Sequence, residues 1–203
     1  LILLFGGIFW QLRGEIFKRF WIRTSRFIVI ARVVFLVVVV LHIALAALPT
    51  GEAVKFRYRN FYGTYRISDF VPAGHPQDGI RVLEHGKTVH GAQMLNASLQ
   101  MTPIYCYYPK GGYPDVYETT PRPLRAAVIG LGAGAICTYV KPRDILVFFE
   151  IDPDNHQIAK HWFTYLSKCK GEVRVISGDG RLSLKNYGEK GERFDIINVD
   201  AFS

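Results

Sequence analysis

The sequence predicts an α/β protein with a doubly wound parallel sheet, preceded by a small β unit and an N-terminal transmembrane helix. Three observations support this fold class. From residue 124 onward, short strands that are apolar throughout alternate with helical segments, as in a parallel sheet covered on both faces. Residues 54–108 are rich in Phe and Tyr with local alternation, which is typical of strands joined by turns. Residues 27–48 form the longest apolar run.

Residues 27–48 are predicted to span a membrane. At about 1.5 Å per residue the run would extend roughly 33 Å, close to the ~30 Å of a hydrocarbon core. A buried core helix is the alternative, but this run is apolar on every face and Arg32 is its only permanent charge. We therefore expect residues 1–53 to be a membrane segment that comprises the end of one spanning segment, a basic loop and this helix.

The basic excess of the chain lies in its first third. The net charge is +8, and residues 1–66 hold ten Lys or Arg against two acids, whereas the rest is balanced. This distribution does not indicate a nucleic-acid footprint. Cations and aromatic residues alternate in the loop before the helix, as they do at membrane surfaces. Basic residues also follow the helix, so charge alone does not decide the topology: Lys55, Arg57, Arg59 and Arg66.

The cysteines and glycines exclude several kinds of site. Cys106, Cys137 and Cys169 form no CxxC pair and have no nearby histidine at zinc-finger spacing, so neither a disulfide framework nor a metal site is predicted. No Walker lysine follows the glycine-rich turn, which excludes P-loop chemistry.

Residues 54–120 are predicted to be the small β unit and a linker, and residues 121–203 an α/β domain. In the first part, AVKFRYRNFYGTYRISDF, RVLEHGKTVHGAQM and TPIYCYYP are strand-like, and KGGYPDVYETTPRP is dense in Gly and Pro, as loops are. In the second, AAVIG, ILVFFEID, VRVIS and FDIINVD are strands, with AGAICTYV and DPDNHQIAKHWFTYL as helices. The last strand ends near residue 200, so we expect the domain to be incomplete. We also expect residues 1–203 alone to have little or no catalytic activity.

Polar and glycine residues follow the strands, at the edge where such sheets bind ligands. Gly130, Gly132 and Gly134 form the turn GLGAG, where residues without side chains let the backbone approach a ligand at a helix N-terminus. Glu150 closes the second strand, about 20 residues later, where an acid binds ribose hydroxyls.

Two further acids follow the third and fourth strands. Asp179 precedes Gly180 in SGDGR, where a carboxylate flanked by glycines can accept a hydrogen bond from an exocyclic amine such as that of adenine. Asp200 ends the fourth strand. For each acid alone, a helix cap or a solvated turn is the alternative. Because the features are in register, we predict one nucleoside pocket.

The motifs together carry a resemblance. A GxGxG turn with acids at three successive strand ends resembles the class I S-adenosylmethionine-transferase (Rossmann-like) fold more than a dehydrogenase with GxGxxG. LEHGKTVHGAQ, TPIYCYY, AVIGLGAG, FFEIDP, SGDGRLSL and FDIINVDAFS occur in this order, so residues 58–203 resemble the spermidine synthase (polyamine aminopropyltransferase) superfamily, in particular its membrane-fused branch.

The resemblance implies polyamine biosynthesis by aminopropyl transfer from decarboxylated S-adenosylmethionine to an amine. It implies that Asp200 is the catalytic residue that accepts the proton of the amine. It implies that Glu150 binds the ribose, that Asp179 binds the adenine and that the glycines lie under the nucleoside. It also places His90 and Gln93 near a glutamine of the family that contacts the cofactor.

Two positions depart from the family. The polyamine synthases have GGGDGG after the first strand, and the aspartate that holds the amine end of the aminopropyl group falls on Ala133. Their second aspartate, three residues after the catalytic one, falls on Ser203. Both changes remove negative charge where a polycation should bind. Two alternatives therefore stay open: a methyltransferase that uses ordinary S-adenosylmethionine, and a non-catalytic nucleoside-binding domain that regulates a membrane part.

The resemblance also implies a location and partners. Sulfonium nucleosides are cytosolic metabolites, so we expect the soluble part to face the cytoplasm from a multi-pass inner-membrane protein. The expected partners are a small-molecule amine, the lipid bilayer and, as an option, a second copy of the chain; nucleic acid is not expected.

Overall fold

A computed structural model describes residues 26–44 and 52–201, and the chain divides into two compact units, residues 1–49 and 50–203. The first unit contains helix α1, Arg26–Ala44, whose apolar side chains are exposed along its length. By length and composition, α1 could cross a membrane. The rest of the predicted membrane segment, residues 1–25 and 45–51, lies outside the described residues.

The second unit begins with an antiparallel sheet in the order β1-β2-β3-β4. Its strands are β1 Glu52–Arg59, β2 Thr64–Phe70, β3 Ile80–His85 and β4 Thr88–Met94. The turn between β1 and β2 is closed by the Asn60 side chain, which accepts hydrogen bonds from the backbone N–H of Tyr62 and Gly63. A 3₁₀ turn, Pro76–Asp78, lies between β2 and β3.

The segment between the two sheets differs from the sequence prediction. Tyr105–Tyr107, which we expected to be strand-like, is a 3₁₀ turn, and the predicted loop contains helix α2, Gly112–Thr119. Pro114 lies in the first turn of α2, where its missing N–H has no intrahelical partner to lose. Tyr117, on the inner side of α2, is fully buried. The proline and the buried tyrosine together account for a helix where the composition suggested a loop.

The second sheet is parallel, as predicted, with the order β7-β6-β5-β8. Its strands are β5 Arg125–Ile129, β6 Ile145–Glu150, β7 Glu172–Ser177 and β8 Ile196–Val199. The connections contain a 3₁₀ helix, Ala135–Tyr139, and two α-helices, α3 Pro153–Trp162 and α4 Gly180–Glu189. This arrangement is compatible with the α/β fold of S-adenosylmethionine-dependent methyltransferases.

Strand β6 explains why the central strands are apolar throughout. Leu146 and Phe148 face the larger core, to which the first sheet contributes Ile67 and Leu83. Val147 and Phe149 face the opposite side, against residues of α4 and the segment after it. Because successive side chains of a strand point to opposite faces, a sheet covered on both sides buries every residue of its central strands. The antiparallel sheet thus packs on one side of the parallel sheet.

Candidate functional site

The backbone ladder of the parallel sheet brings the predicted site residues to one edge. The N–H of Gly130 donates to the carbonyl of Phe149, and the N–H of Asp200 donates to that of Ile129, both at 2.9 Å. On the other side, the N–H of Gly178 donates to the carbonyl of Glu150 at 2.8 Å. The ends of β5, β6, β7 and β8 therefore lie side by side.

Glu150 joins the glycine turn to the start of α3. The residue is buried, with 6% of its surface exposed. One oxygen, Oε2, accepts from the N–H of Leu131 and from Nδ2 of Asn155, each at 2.9 Å. The other, Oε1, accepts from the N–H of Asp152 at 2.9 Å. Since a carboxylate oxygen can accept two hydrogen bonds, Oε1 keeps capacity for one further donor, such as a hydroxyl.

The glycine turn is held between the end of β8 and strand β4. Gly130 and Gly132 have φ values of +95° and +52°, which side chains disfavour. A Cβ at Gly130 would lie less than 3.0 Å from the carbonyl oxygen of Asp200, and one at Gly132 equally close to that of His90. Contacts within the protein thus account for both glycines, and the predicted role of Gly130, Gly132 and Gly134 in cofactor binding stays a prediction.

Asp200 is paired with a buried tyrosine. The phenol of Tyr107, which is 5% exposed, donates a hydrogen bond to Oδ2 of Asp200. Burial and the Asp200 carboxylate raise the pKa of Tyr107, so the phenol keeps its proton and acts as the donor. The phenol of Tyr139 donates in turn to the carbonyl of Tyr107, which fixes the 3₁₀ turn. The arrangement leaves Oδ1 of Asp200 as an acceptor at the carboxyl end of the sheet.

Asp179 and Gly180 lie at the same edge of the sheet, where they form the start of helix α4. Asp179 is its N-cap, since Oδ1 accepts from the N–H of Leu182 at 2.8 Å. Gly180 allows α4 to approach β5, because a Cβ there would lie 2.5 Å from Cγ2 of Ile129. Among the described residues, no hydrogen bond joins the Asp179 side chain to Glu150 or Asp200. The helix-cap alternative thus accounts for one oxygen of Asp179, and adenine binding stays a prediction.

His90 enters the site from the antiparallel sheet. Its carbonyl accepts a hydrogen bond from the N–H of Ala133 at 3.2 Å, which ties β4 to the glycine turn. Burial and the neighbouring His85 lower the pKa of the half-buried His90, while the charges of Asp200 and Glu150 oppose this shift. His90 is therefore close enough to both acids to interact with them electrostatically.

The side-chain amide of Gln93 forms hydrogen bonds within the protein. Its side chain is 3% exposed; Oε1 accepts from the N–H of Thr164 at 3.1 Å, and Nε2 donates to Gln100 and to the hydroxyl of Thr164. These bonds satisfy the amide without a cofactor.

Ala133 is closed off by strand β4. It is 1% exposed, and a Cβ added to Gly91 would lie 2.5 Å from the Cβ of Ala133. The position at which the polyamine synthases have an aspartate is therefore covered by backbone here.

Three supporting residues of the site were not predicted from the sequence: Tyr107, Asp152 and Asn155. Asp152 is 1% exposed, accepts from the phenol of Tyr65 and the amide of Asn60 at 2.7 Å each, and caps α3. The Asp-Pro pair after a strand is a recognisable N-cap signal. Tyr107 had no such signal, because its partner Asp200 follows 93 residues later.

Comparison with known proteins gives two partial relatives, and no family model matches the chain. A stretch of 86 residues, 41% of this chain, is 36% identical to a polyamine aminopropyltransferase of Vibrio vulnificus (strain CMCP6). A stretch of 85 residues, 40% of this chain, is 32% identical to the eEF1A lysine and N-terminal methyltransferase of Homo sapiens. The chain spans 28% and 12% of their lengths. Part of the chain is thus similar to transferases of two kinds.

Proposed function

We propose that this protein is a membrane-anchored transferase that binds a sulfonium nucleoside and transfers its aminopropyl group to an amine. The observation that carries the proposal is the Tyr107–Asp200 pair, which places an oriented carboxylate directly beside the glycine turn. The partial similarity to a polyamine aminopropyltransferase supports the same reaction class.

The nucleoside half of the site would be formed by the turn, Glu150 and Asp179. Oε1 of Glu150 can accept one ribose hydroxyl in addition to the N–H of Asp152. Oδ2 of Asp179 is not used by the helix cap and can accept from an exocyclic amine. Decarboxylated S-adenosylmethionine would supply a carbon made electrophilic by the adjacent sulfonium.

Asp200 would activate the acceptor. An amine arrives largely as an ammonium ion, which has no lone pair and cannot attack. Oδ1 of Asp200 would hold the ammonium and take one proton, while the hydrogen bond from Tyr107 holds Oδ2 in place. The amine nitrogen then forms a bond to the propyl carbon, the carbon–sulfur bond breaks, and its electron pair neutralises the sulfonium.

Methyl transfer from ordinary S-adenosylmethionine is a second candidate, and Ala133 is the observation that favours it. Without a carboxylate at this covered position, the site lacks the group that holds the amine end of an aminopropyl chain in the resembled family. The similarity to a methyltransferase supports this candidate equally.

Calorimetric titration of the full-length protein with decarboxylated and with ordinary S-adenosylmethionine separates the candidates. We expect tighter binding of the decarboxylated form and, with an amine present, a product that mass spectrometry identifies as aminopropylated. If the protein binds ordinary S-adenosylmethionine more tightly and gives a methylated product, methyl transfer is its reaction and the aminopropyl proposal is wrong. Binding of neither would refute both and leave a non-catalytic role.

The location is part of the proposal. Helix α1 supports an anchor in the membrane, and a cytosolic nucleoside requires the α/β domain on the cytoplasmic side. A reporter fused after Ser203 should be active in the cytoplasm; activity only outside the cytoplasmic membrane would contradict the proposed topology.

A further inference from the structure

The last residues of β1 and the two turns at that end of the antiparallel sheet form an exposed basic and aromatic surface. We call it the turn patch; it consists of Arg57, Arg59, Phe61, Tyr62 and Lys87. The N–H of Gly86 donates to the carbonyl of Thr64 at 2.8 Å, which holds the turn after β1 beside the turn after β3. Phe61 is 94% exposed, and its ring lies edge-on to that of Tyr62 at 5.3 Å.

The arginines of the turn patch point away from the candidate active site. Successive side chains of β1 alternate between its two faces. On one face, Phe56 packs on Trp162 of α3 and Tyr58 donates to Asp154. Arg57 and Arg59 are therefore on the opposite face, where both are exposed.

Among the described residues, the cations of the turn patch form no ion pair with an acid. Arg66, the next cation on this face, is paired with Glu84 and Glu52. Within residues 26–44 and 52–201, no ion pair involves Arg57, Arg59 or Lys87. The patch thus presents three positive charges and two exposed aromatic rings with no carboxylate among them.

A short linker joins α1 to strand β1. Seven residues, 45–51, separate Ala44 from Glu52. Even fully extended, they cover at most about 25 Å. If α1 spans a bilayer, β1 begins within this distance of the membrane. The turn patch lies at the other end of β1, roughly 23 Å further at about 3.3 Å per residue. The tether therefore holds the patch within reach of the membrane surface and raises the effective concentration of that surface.

We propose that the turn patch binds the anionic headgroup surface of the bilayer in which α1 is anchored. Lys and Arg near such a surface are attracted by its negative potential, and aromatic rings favour the headgroup region. The patch combines both at the end of β1, the edge strand that the linker joins to the membrane helix. This inference rests on the membrane anchor of the proposed function but not on the identity of the transferred group.

Fluorescence quenching in nanodiscs tests the proposal. The full chain carries Phe61→Cys with a fluorophore, and Cys106→Ser to remove the exposed native thiol. Discs contain phosphatidylcholine alone or with about one third phosphatidylserine, plus a headgroup-nitroxide lipid. We expect about twofold stronger quenching in the anionic discs, reduced by high salt because the attraction is screened.

Charge reversal provides the matched comparison. Arg57→Glu with Arg59→Glu should lower quenching in anionic discs to the level of neutral discs, and Arg57→Gln with Arg59→Gln should act in the same direction. Lys185→Glu with Lys190→Glu changes the net charge equally on exposed positions elsewhere and should leave quenching unchanged.

The outcomes separate the patch from the anchor. Equal quenching in both disc types, or quenching that the Arg57 and Arg59 variants do not change, overturns lipid binding by the turn patch. Neither result contradicts the membrane anchoring by α1. Failure of the chain to co-purify with discs overturns both. Shielding of the probe by an added oligonucleotide, without any effect of phosphatidylserine, assigns the patch to nucleic acid and overturns the lipid proposal.

Discussion

The phenol of Tyr107 donates a hydrogen bond to the carboxylate of Asp200, which directly follows strand β8. The 3₁₀ turn before α2 thereby contacts the carboxyl edge of the parallel sheet. Burial keeps the tyrosine protonated, so that the pair has a fixed donor and a fixed acceptor. A carboxylate oriented in this way is suited to receive a proton from an incoming amine.

Tyr107→Phe should lower the turnover number of the proposed transfer reaction without weakening nucleoside binding. The change removes a hydrogen bond to a charged group, worth about 1.5–3 kcal/mol, and so we expect a roughly ten- to hundredfold loss. Tyr113→Phe is the control, since its ring lies 5.0 Å from that of Tyr107. Steady-state kinetics and calorimetry together check the result; an equal loss in both variants would contradict the role of the pair.

Asp200→Asn should retain the fold and the affinity for the nucleoside but lose the transfer step. An amide cannot accept the proton of the amine, and we expect turnover to fall by roughly 10²- to 10⁴-fold. Asp195→Asn gives a second neutralised aspartate near β8 that lies outside the proposed site. Single-turnover measurements at saturating substrate check this, and undiminished transfer by Asp200→Asn would exclude Asp200 as the proton acceptor.

Glu150→Gln should weaken both the glycine turn and nucleoside binding. The carboxylate accepts three hydrogen bonds from N–H donors, and an amide of the same size would turn an NH₂ group toward at least one of them. We expect a destabilisation of about 1–3 kcal/mol. Thermal unfolding and titration measure the two effects. Glu172→Gln, on an exposed ion pair, should change neither, and unaltered nucleoside affinity in Glu150→Gln would argue against ribose binding.

Gly132→Ala should destabilise the protein more than Gly86→Ala. Both glycines have positive φ, +52° and +63°, and therefore share the conformational cost of a side chain, about 1–2 kcal/mol. At Gly132 the new methyl group would also collide with the carbonyl of His90, whereas nothing lies within 4 Å at Gly86. Chemical denaturation measures the free energy of unfolding of both variants, and the difference between them is the cost of the collision with His90. Equal destabilisation would show that β4 does not press on the turn.

His90 should make stability fall as the solution becomes acidic. Burial and His85 lower its pKa below the 6.5 of an ordinary histidine. Protonation of His90 thus favours the unfolded chain. Above about pH 6.5 the histidine is neutral in both states and does not change the free energy of unfolding. As the pH falls from about 6.5 to the lower pKa of the folded state, the free energy of unfolding decreases. His90→Gln should flatten the unfolding temperature between about pH 7.5 and 5.5. An unchanged slope in His90→Gln would contradict the assignment.

Local patterns predicted the parallel sheet but not all of its connections. The apolar runs at β5 and β6 are explained by burial on both faces, a constraint that each strand carries in its own residues. The helix at Gly112–Thr119 was missed because Gly and Pro were interpreted as loop residues, although proline is tolerated in a first helical turn. The segment after the glycine turn is 3₁₀ rather than α-helical, a distinction that apolar periodicity over five residues cannot make.

For the site, the sequence by itself determined which residues end the strands: Gly130, Glu150, Asp179 and Asp200 each follow an apolar run, and the parallel order brings those ends to one edge. Only the tertiary structure decided what each side chain contacts. It made Tyr107 the partner of Asp200, Asp179 a helix cap and Ala133 a residue covered by β4. The reason is physical: strand patterns arise from neighbours in the chain, whereas these contacts join segments that only the packing of one sheet on the other brings within bonding distance.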